Sequence, residues 1–431
     1  MPVIHLKPAP GLPPHSEAEV ADTVQIMLAR LRAGREEAAL DYARRLDGQC
    51  GPVEVAPEAL SEAHRALSPE LIEAIAYAHG NIRAFALAQR RSLSEFECEL
   101  RPGLFAGQRL LPVRSAGAYV PSGRYAHIAS ALMTVTTARA AGVEQVVACS
   151  PAGPDGIPAP ILHALHVAGV DRVLALGGVP GIAAMALGLF GLPEADILVG
   201  PGNAYVAEAK RQLFGPIGID MLAGPTDSMI LADAKADPVL VAADLVGQAE
   251  HGATSPVWLI TDHRPLAEAV LRLVPQRIAA LPEPNRRAAG DAWAMLGEVM
   301  LASTRDEVAE MADSYAPEHL QVMAADLDWW RNRLRAYGSL FLGAESTVAF
   351  GDKASGPNHV LPTSGAARHT GGLSVLRFLK TVTWQRSEAD ALPDLASATA
   401  VISRAEGMEG HALSADLRLD TLPTRLRAVG E

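Results

Sequence analysis

Cysteine is nearly absent from this chain: three residues in 431, Cys50, Cys98 and Cys149, none near another in sequence. That leaves no disulfide framework and no Cys-rich zinc module, and it suits a reducing cytosol, the compartment expected here. Excess positive charge is also missing. Lys and Arg number 37 against 49 Asp and Glu, a net charge of −12, which argues against a nucleic acid held by a basic footprint. Long apolar runs are missing too, although 49% of residues are hydrophobic and the mean hydropathy is +0.13. The most apolar stretch, IAAMALGLFGL at 182–192, is too short and too Gly-rich to span a bilayer. The opening MPVIHLKPAPGLPP has no basic region followed by an apolar core, so neither a signal peptide nor a membrane partner is expected. What is present is an acidic, soluble chain of about two to three domains, long enough to bury a core without disulfides.

The first 20 residues are Pro-rich and read as an extended arm. A helical pattern follows to about residue 90, with Val24, Leu28 and Leu31 and then Leu71, Ile72 and Ile75 at helical spacing. Between 113 and 227 short apolar runs (VRSAGAYV, QVVACS, RVLALGG, DILVG) alternate with helices near 127–141, in the 160s, from 181 and from 203. A second series from 228 has strands SMILAD, PVWLIT, EVMLAS, HLQVMA and SLFLG, with helices near 238–250, 264–280 and 327–336. Alternation of this kind implies parallel sheets covered by crossover helices, hence an α/β fold of two Rossmann-like halves, with a mainly helical tail from about 376. The turns Gly177-Gly178 and Gly200-Pro201-Gly202-Asn203 do not complete G-x-G-x-x-G, and taken alone read as tight connections.

Five segments collect polar residues that a core does not require. In Gln248-Ala249-Glu250-His251-Gly252 the Gln and His are three apart and share a helix face; by itself the segment reads as a capped helix end. Ala316-Pro317-Glu318-His319 sets a carboxylate beside an imidazole. In mid-strand the two would point to opposite faces, so joint action requires the bend that Pro317 encourages, and an exposed turn is an equal alternative. The loop from Gly351 to Ser364, holding Asp352, Lys353 and His359, supplies no core and leans to function. Arg368-His369-Thr370-Gly371-Gly372 and Glu406-Gly407-Met408-Glu409-Gly410-His411 read alone as solvated segments. His163 and His166 read as partly buried packing residues.

Together and in order, these segments resemble the histidinol dehydrogenase family. The matching stretches are RSAGAYVPSG, GPGNAYVAEAKRQLFGPIGIDMLAGPTDS, DLVGQAEHG, APEHLQV, GSLFLG, GDKASGPNHVLPTSGAARHTGGLSV and EGMEGHALS, spread over about residues 20–420. The resemblance implies a homodimer that exchanges its C-terminal tail. It implies zinc ligands at Gln248, His251, Asp352 and His411, a catalytic pair at Glu318 and His319, and NAD contacts at Tyr119 and Asn203. Substrate contacts are implied at Thr226, His359 and Glu406. The implied reaction is oxidation of a primary alcohol through an aldehyde to a carboxylate with two NAD. The expected layout is an arm at 1–20, a main α/β domain at 21–118 plus 228–375 with zinc and the catalytic pair, a nucleotide-side domain at 119–227, and a dimerisation tail at 376–431.

Departures from the family pattern concentrate near the substrate. Histidinol dehydrogenases carry glutamate four residues before the zinc aspartate, where this chain has Val348, and usually tyrosine after it, where this chain has Lys353. Asp227 stands in the family's G-P-S-E, and Pro180 replaces an expected nucleotide-contacting glutamine. The first two changes move local charge by about two units positive, which disfavours a cationic amino alcohol. Lys353, with Arg368 or His369 and with Arg124 and His127, suits an anion. The pattern is similar to the paralogues that oxidise 2,3-dihydroxypropane-1-sulfonate to sulfolactate. Histidinol, which the retained Glu406 would suit, and a non-catalytic zinc-stabilised dimer are the alternatives.

Overall fold

A computed structural model describes residues 3–11, 17–49, 51–122, 126–222 and 224–420. In chain order the elements are β1 (Ile4–Lys7), α1 (Glu17–Tyr42), α2 (Pro57–Glu62), α3 (Pro69–Arg91), β2 (Phe96–Arg101), β3 (Leu104–Pro112) and β4 (Ser115–Tyr119). Next come α4 (Ile128–Ala141), β5 (Gln145–Ser150), α5 (Ala159–Ala168), β6 (Arg172–Ala175), α6 (Gly178–Ala186), β7 (Ile197–Val199), α7 (Ala204–Leu213) and β8 (Gly218–Ile219). The second series is β9 (Ser228–Ala232), α8 (Pro238–Ala249), β10 (Val257–Thr261), α9 (Arg264–Ala280), α10 (Asn285–Leu296), β11 (Glu298–Leu301), α11 (Arg305–Tyr315), β12 (His319–Met323), α12 (Leu327–Arg333), β13 (Ser339–Leu342) and α13 (Val348–Lys353). The tail holds β14 (Leu379–Ser387), α14 (Leu392–Ala405) and α15 (Glu409–Asp420).

Two compact units result, along lines other than the expected layout: residues 1–90 with 113–378, and residues 91–112 with 379–431. The first unit contains both α/β halves. One is an all-parallel sheet in the order β6-β5-β4-β7-β8. The other runs β1-β11-β10-β9-β12-β13 and is parallel except for β1, which joins β11 antiparallel. The Pro-rich arm therefore supplies an edge strand. Strands such as Ser115–Tyr119 and Ser228–Ala232 are buried along their whole length, as parallel strands covered on both faces must be. The stripe Val24, Leu28 and Leu31 on α1 is fully buried, but with Val147, Leu174, Leu198 and helices α6 and α7 of the five-stranded half. Its expected grouping with the half that carries Glu318 and His319 is thereby corrected: an apolar stripe packs wherever the sheet leaves a complementary face.

The second unit is a three-stranded antiparallel sheet, β14-β3-β2, with α14 and α15. The tail is thus not mainly helical at its start, because β14 pairs along nine residues with β3. Among the described residues no helix is long and apolar enough to cross a membrane. Cys98 is exposed and Cys149 buried, both free, while Cys50 lies outside the described residues.

Candidate active site

In the five-stranded half the strand order reverses between β4 and β7, and the crevice expected outside the carboxyl ends of strands at such a switch point is the usual place for a ligand in a doubly wound sheet. Tyr119 ends β4. Its hydroxyl accepts a hydrogen bond from the Gly178 amide at 2.9 Å, which leaves its proton free to be donated. Burial pushes its pKa up to about 12, so it stays neutral. Gly200, after β7, has φ +114, and a Cβ there would overlap the Tyr119 carbonyl oxygen. The turn is tied down from below: Asp220 accepts the Gly200 amide at 2.7 Å, and the buried Lys210 bonds both Asp220 and the Gly200 carbonyl. Asn203 caps α7, its Oδ1 accepting from the amides of Tyr205 and Val206 at 3.1 Å each. The side-chain amide of this exposed residue remains available as a donor. Pro180 is buried in the first turn of α6, where its missing N–H costs no helix bond.

The six-stranded half places its polar residues at the amino ends of strands instead. Glu318 lies just before β12 and His319 is its first residue, after Ala316 at φ +50 ends α11. The bend lets both side chains stay together: His319 Nδ1 lies 3.6 Å from Glu318 Oε2. Gly338 permits this approach, since a Cβ there would sit 2.6 Å from the Glu318 carbonyl oxygen. Asp227, one residue before β9, braces the pair. Its Oδ1 accepts the Glu318 amide at 2.7 Å, its own amide donates to Glu318 Oε2 at 3.2 Å, and its carbonyl accepts the His319 amide at 3.2 Å. Its other oxygen accepts the Ser364 amide at 2.9 Å.

Asp352, near the end of α13, is the hub of this edge. Its carboxylate lies 3.4 Å from His319 Nε2, 3.6 Å from His251 Nε2 and 3.4 Å from Gln248 Nε2. Burial would raise its pKa, but the adjacent His251 and His319 rings outweigh it and hold the carboxyl well below the usual carboxylate range. Gln248 Oε1 and both ring nitrogens of His319 are buried without a hydrogen-bond partner. Burial pushes Glu318 up to about 8. For His319 burial acts downward, yet the neighbouring carboxylates Glu318 and Asp352 outweigh it and lift the ring to about 9.

His359 joins the two halves. Its Nδ1 lies 3.0 Å from the Asp352 carbonyl and its Nε2 2.9 Å from Ser130 Oγ on the first turn of α4. Because the carbonyl can only accept, Nδ1 carries the proton and Nε2 accepts from Ser130. Burial, opposed by Asp352 and assisted by Lys353, lowers its pKa to about 4, so the ring is neutral. His127, at the N-cap of α4, is likewise lowered by burial and then by the charges of Lys353 and His251. Lys353 is exposed, and its charge acts on both His127 and His359. Thr226 is half-buried beside Asp227.

Sequence reasoning missed Ser130 and understated Asp227. Ser130 carries no motif, whereas Asp227 was visible as a departure in Gly224-Pro225-Thr226-Asp227. Arg368 does not join the site: its guanidinium is taken up by the backbone carbonyls of Ser314 and Gly365. His369 is exposed, and Arg124 lies outside the described residues. Glu406 and His411 belong to the second unit, at the end of α14 and the start of α15, and both are exposed. Of the packing pair, His163 is buried and His166 exposed.

A family model described as histidinol dehydrogenase matches residues 13–419. The chain belongs to the histidinol dehydrogenase family. It is 65% identical over the full length of both chains to a histidinol dehydrogenase homolog of Ruegeria pomeroyi. It is 55% identical to the sulfopropanediol 3-dehydrogenase of the same organism, over 97% of each chain. The crystal structure of histidinol dehydrogenase from Elizabethkingia anophelis superposes with a TM-score of 0.90 at 29% identity, covering 95% of this chain and 94% of that one. Membership of this family makes the chain a dehydrogenase-family protein and accounts for its paired parallel sheets.

Proposed function

We propose that the chain is a zinc- and NAD-dependent dehydrogenase that carries 2,3-dihydroxypropane-1-sulfonate through an aldehyde to sulfolactate. The observation that carries this reading is the charge beside Asp352. Val348, fully buried, stands where histidinol dehydrogenases carry a glutamate, while the Lys353 charge reaches both His127 and His359. A cationic amino alcohol meets an added positive charge there, whereas a sulfonate is attracted. The 55% identical relative named for sulfopropanediol supports the same substrate.

The donor set fits zinc. Gln248 offers a buried oxygen without a donor, and His251 and Asp352 offer a nitrogen and a carboxylate beside it. Among the described residues no group of three or more His, Cys, Asp and Glu could hold a metal by itself. A further ligand is required, and the resemblance assigns it to the partner subunit's His411 in a tail-exchanged homodimer. In keeping with that, α14 and α15 pack on a small cluster of buried alanines (Ala396, Ala400, Ala412, Ala415) with Leu419 half-buried against it, and they expose Val401, Ile402, Leu413 and Leu417. Bound to these residues, the ion supplies Lewis acidity toward an alcohol oxygen and a field that favours neutral His319.

His319 is the base positioned to accept the hydroxyl proton, and Tyr119 and Asn203 would hold the NAD that serves as hydride acceptor. Glu318, whose raised pKa makes its ionised form a stronger base, takes a proton from the water that adds to the aldehyde. The hydrate loses two protons and a second hydride, for which a second NAD would be the acceptor, and leaves a carboxylate. Glu406 from the exchanged tail, with Thr226 and His359, completes the substrate contacts.

The test is NADH formation by zinc-loaded protein, offered the sulfonate and L-histidinol separately and followed to completion. Two NADH per sulfonate with histidinol idle is the expected result, and Lys353→Met lowers kcat/KM for the sulfonate by about 10- to 100-fold. Two NADH per histidinol overturns the substrate. No NADH from either, with NAD unbound, overturns the enzyme in favour of a non-catalytic dimer.

A further inference from the structure

Beneath Gln248, His319 and Asp352 lies a second tier of polar side chains on the same three elements. On α8, Asp244 precedes Gln248 by four residues, one helical turn or about 6 Å along the axis. On β12, Gln321 follows His319 by two residues, on the same face of the strand and about 6.6 Å away. On α13, Thr347 caps the helix that carries Asp352, its Oγ1 accepting the Ala349 amide at 3.4 Å. Each upper residue thus has a lower counterpart, and the two spacings nearly match.

The lower tier is closed by one carboxylate. Gln321 Nε2 donates to Asp244 Oδ2 at 2.8 Å and Thr347 Oγ1 donates to Asp244 Oδ1 at 3.1 Å. Gln321 is fully buried, so its bond has little competition from water. The upper tier has looser contacts, 3.4 Å from Asp352 to both Gln248 and His319. Direct bonds between the upper residues are therefore too weak to set their spacing, while those below are well formed.

We propose that Asp244 is a positioning residue, whose carboxylate holds α8, β12 and α13 at the separation that brings Gln248, His251, His319 and Asp352 to a common point. The inference rests on the zinc reading above, in which Gln248, His251 and Asp352 are ligands. Outer partners of this kind cost about 10- to 100-fold in metal affinity when removed.

The experiment is zinc competition against a chromophoric chelator on the full chain, with NAD affinity and thermal unfolding measured on the same samples. Asp244→Ala is expected to weaken zinc by about 10- to 100-fold and leave NAD affinity within about twofold, because Tyr119 and Asn203 lie in the other half. Thr347→Val, a milder change, weakens zinc by about three- to tenfold. Asp244→Asn recovers to within about threefold, since its amide can donate to the unpartnered Gln321 Oε1 while its oxygen accepts from Thr347. Zinc affinity within about twofold of the parent in both Asp244→Ala and Thr347→Val overturns the proposal. So does a parallel loss of zinc, NAD affinity and stability, which marks a general packing role. A parent chain that binds no zinc overturns the underlying zinc reading instead.

Discussion

The two halves of the first unit are built from similar parts yet present chemistry at opposite ends. In the five-stranded half the crevice lies at the carboxyl ends of β4 and β7 and is shaped mainly by backbone: the Gly178 amide, the Gly200 turn and the start of α7. In the six-stranded half Asp227, Glu318 and His319 gather at the amino ends of β9 and β12, where Ser228 and His319 stand side by side in register. Helix α4 starts from the first edge, and Ser130 on it meets His359 from the second. A fold can offer either end of a sheet, but the means differ. Carboxyl ends feed helix N-termini, which suit phosphates, whereas amino ends need side chains held by long-range bonds.

The comparison breaks first at His319. His319→Asn should cut NADH formation by about 10²–10⁴-fold with zinc content unchanged, because the proton acceptor is lost and the ligands are not. Loss of zinc along with activity would instead make His319 part of the metal site. Gly200→Ala tests the opposite edge. Its φ of +114 and the overlap with Tyr119 should cost about 1–3 kcal/mol in stability and weaken NAD about tenfold, leaving zinc affinity intact. Unchanged NAD affinity in a folded Gly200→Ala chain would remove the nucleotide from this crevice. The smallest effect concerns pH. Glu318 rises from 4.5 to about 8 on folding, so between those values the folded chain holds a proton that the unfolded chain has released. Its burial therefore costs stability progressively as pH rises through that window. Metal-free Glu318→Gln should match the parent near pH 4.5 and exceed it by about 1–3 kcal/mol near pH 8, read from thermal unfolding. A gap that does not widen with pH would mean that Glu318 is ionised throughout.

Much of the fold was legible because local patterns carry it. The expected helix at 264–280 coincides with α9, and all five strands expected after residue 228 are present. Helices α10 and α11 were passed over, since their buried faces are built mainly of alanine, which marks a core stripe less plainly than large apolar side chains do. The stretch read as a loop from Gly351 opens inside α13, a helix too short to show periodicity. β14 was missed because only its pairing with β3 makes it a strand, its residues being half-buried or exposed.

The same division holds for the site. Glu318-His319, Gln248-x-x-His251 and Asp352-Lys353 announce themselves as short polar groups, and the order of the motifs points to the family. The sequence by itself thus determined most of the elements, most of the candidate residues and the shift of charge at Val348 and Lys353. Only the tertiary structure decided that Asp227 grips Glu318 across 91 residues, that Asp244 reaches Thr347 across 103, and that Arg368 is spent on backbone carbonyls. Periodicity and capping act within a few residues and can be read locally, whereas which distant side chains meet is set by sheet order and register, and those emerge only when the whole core is packed.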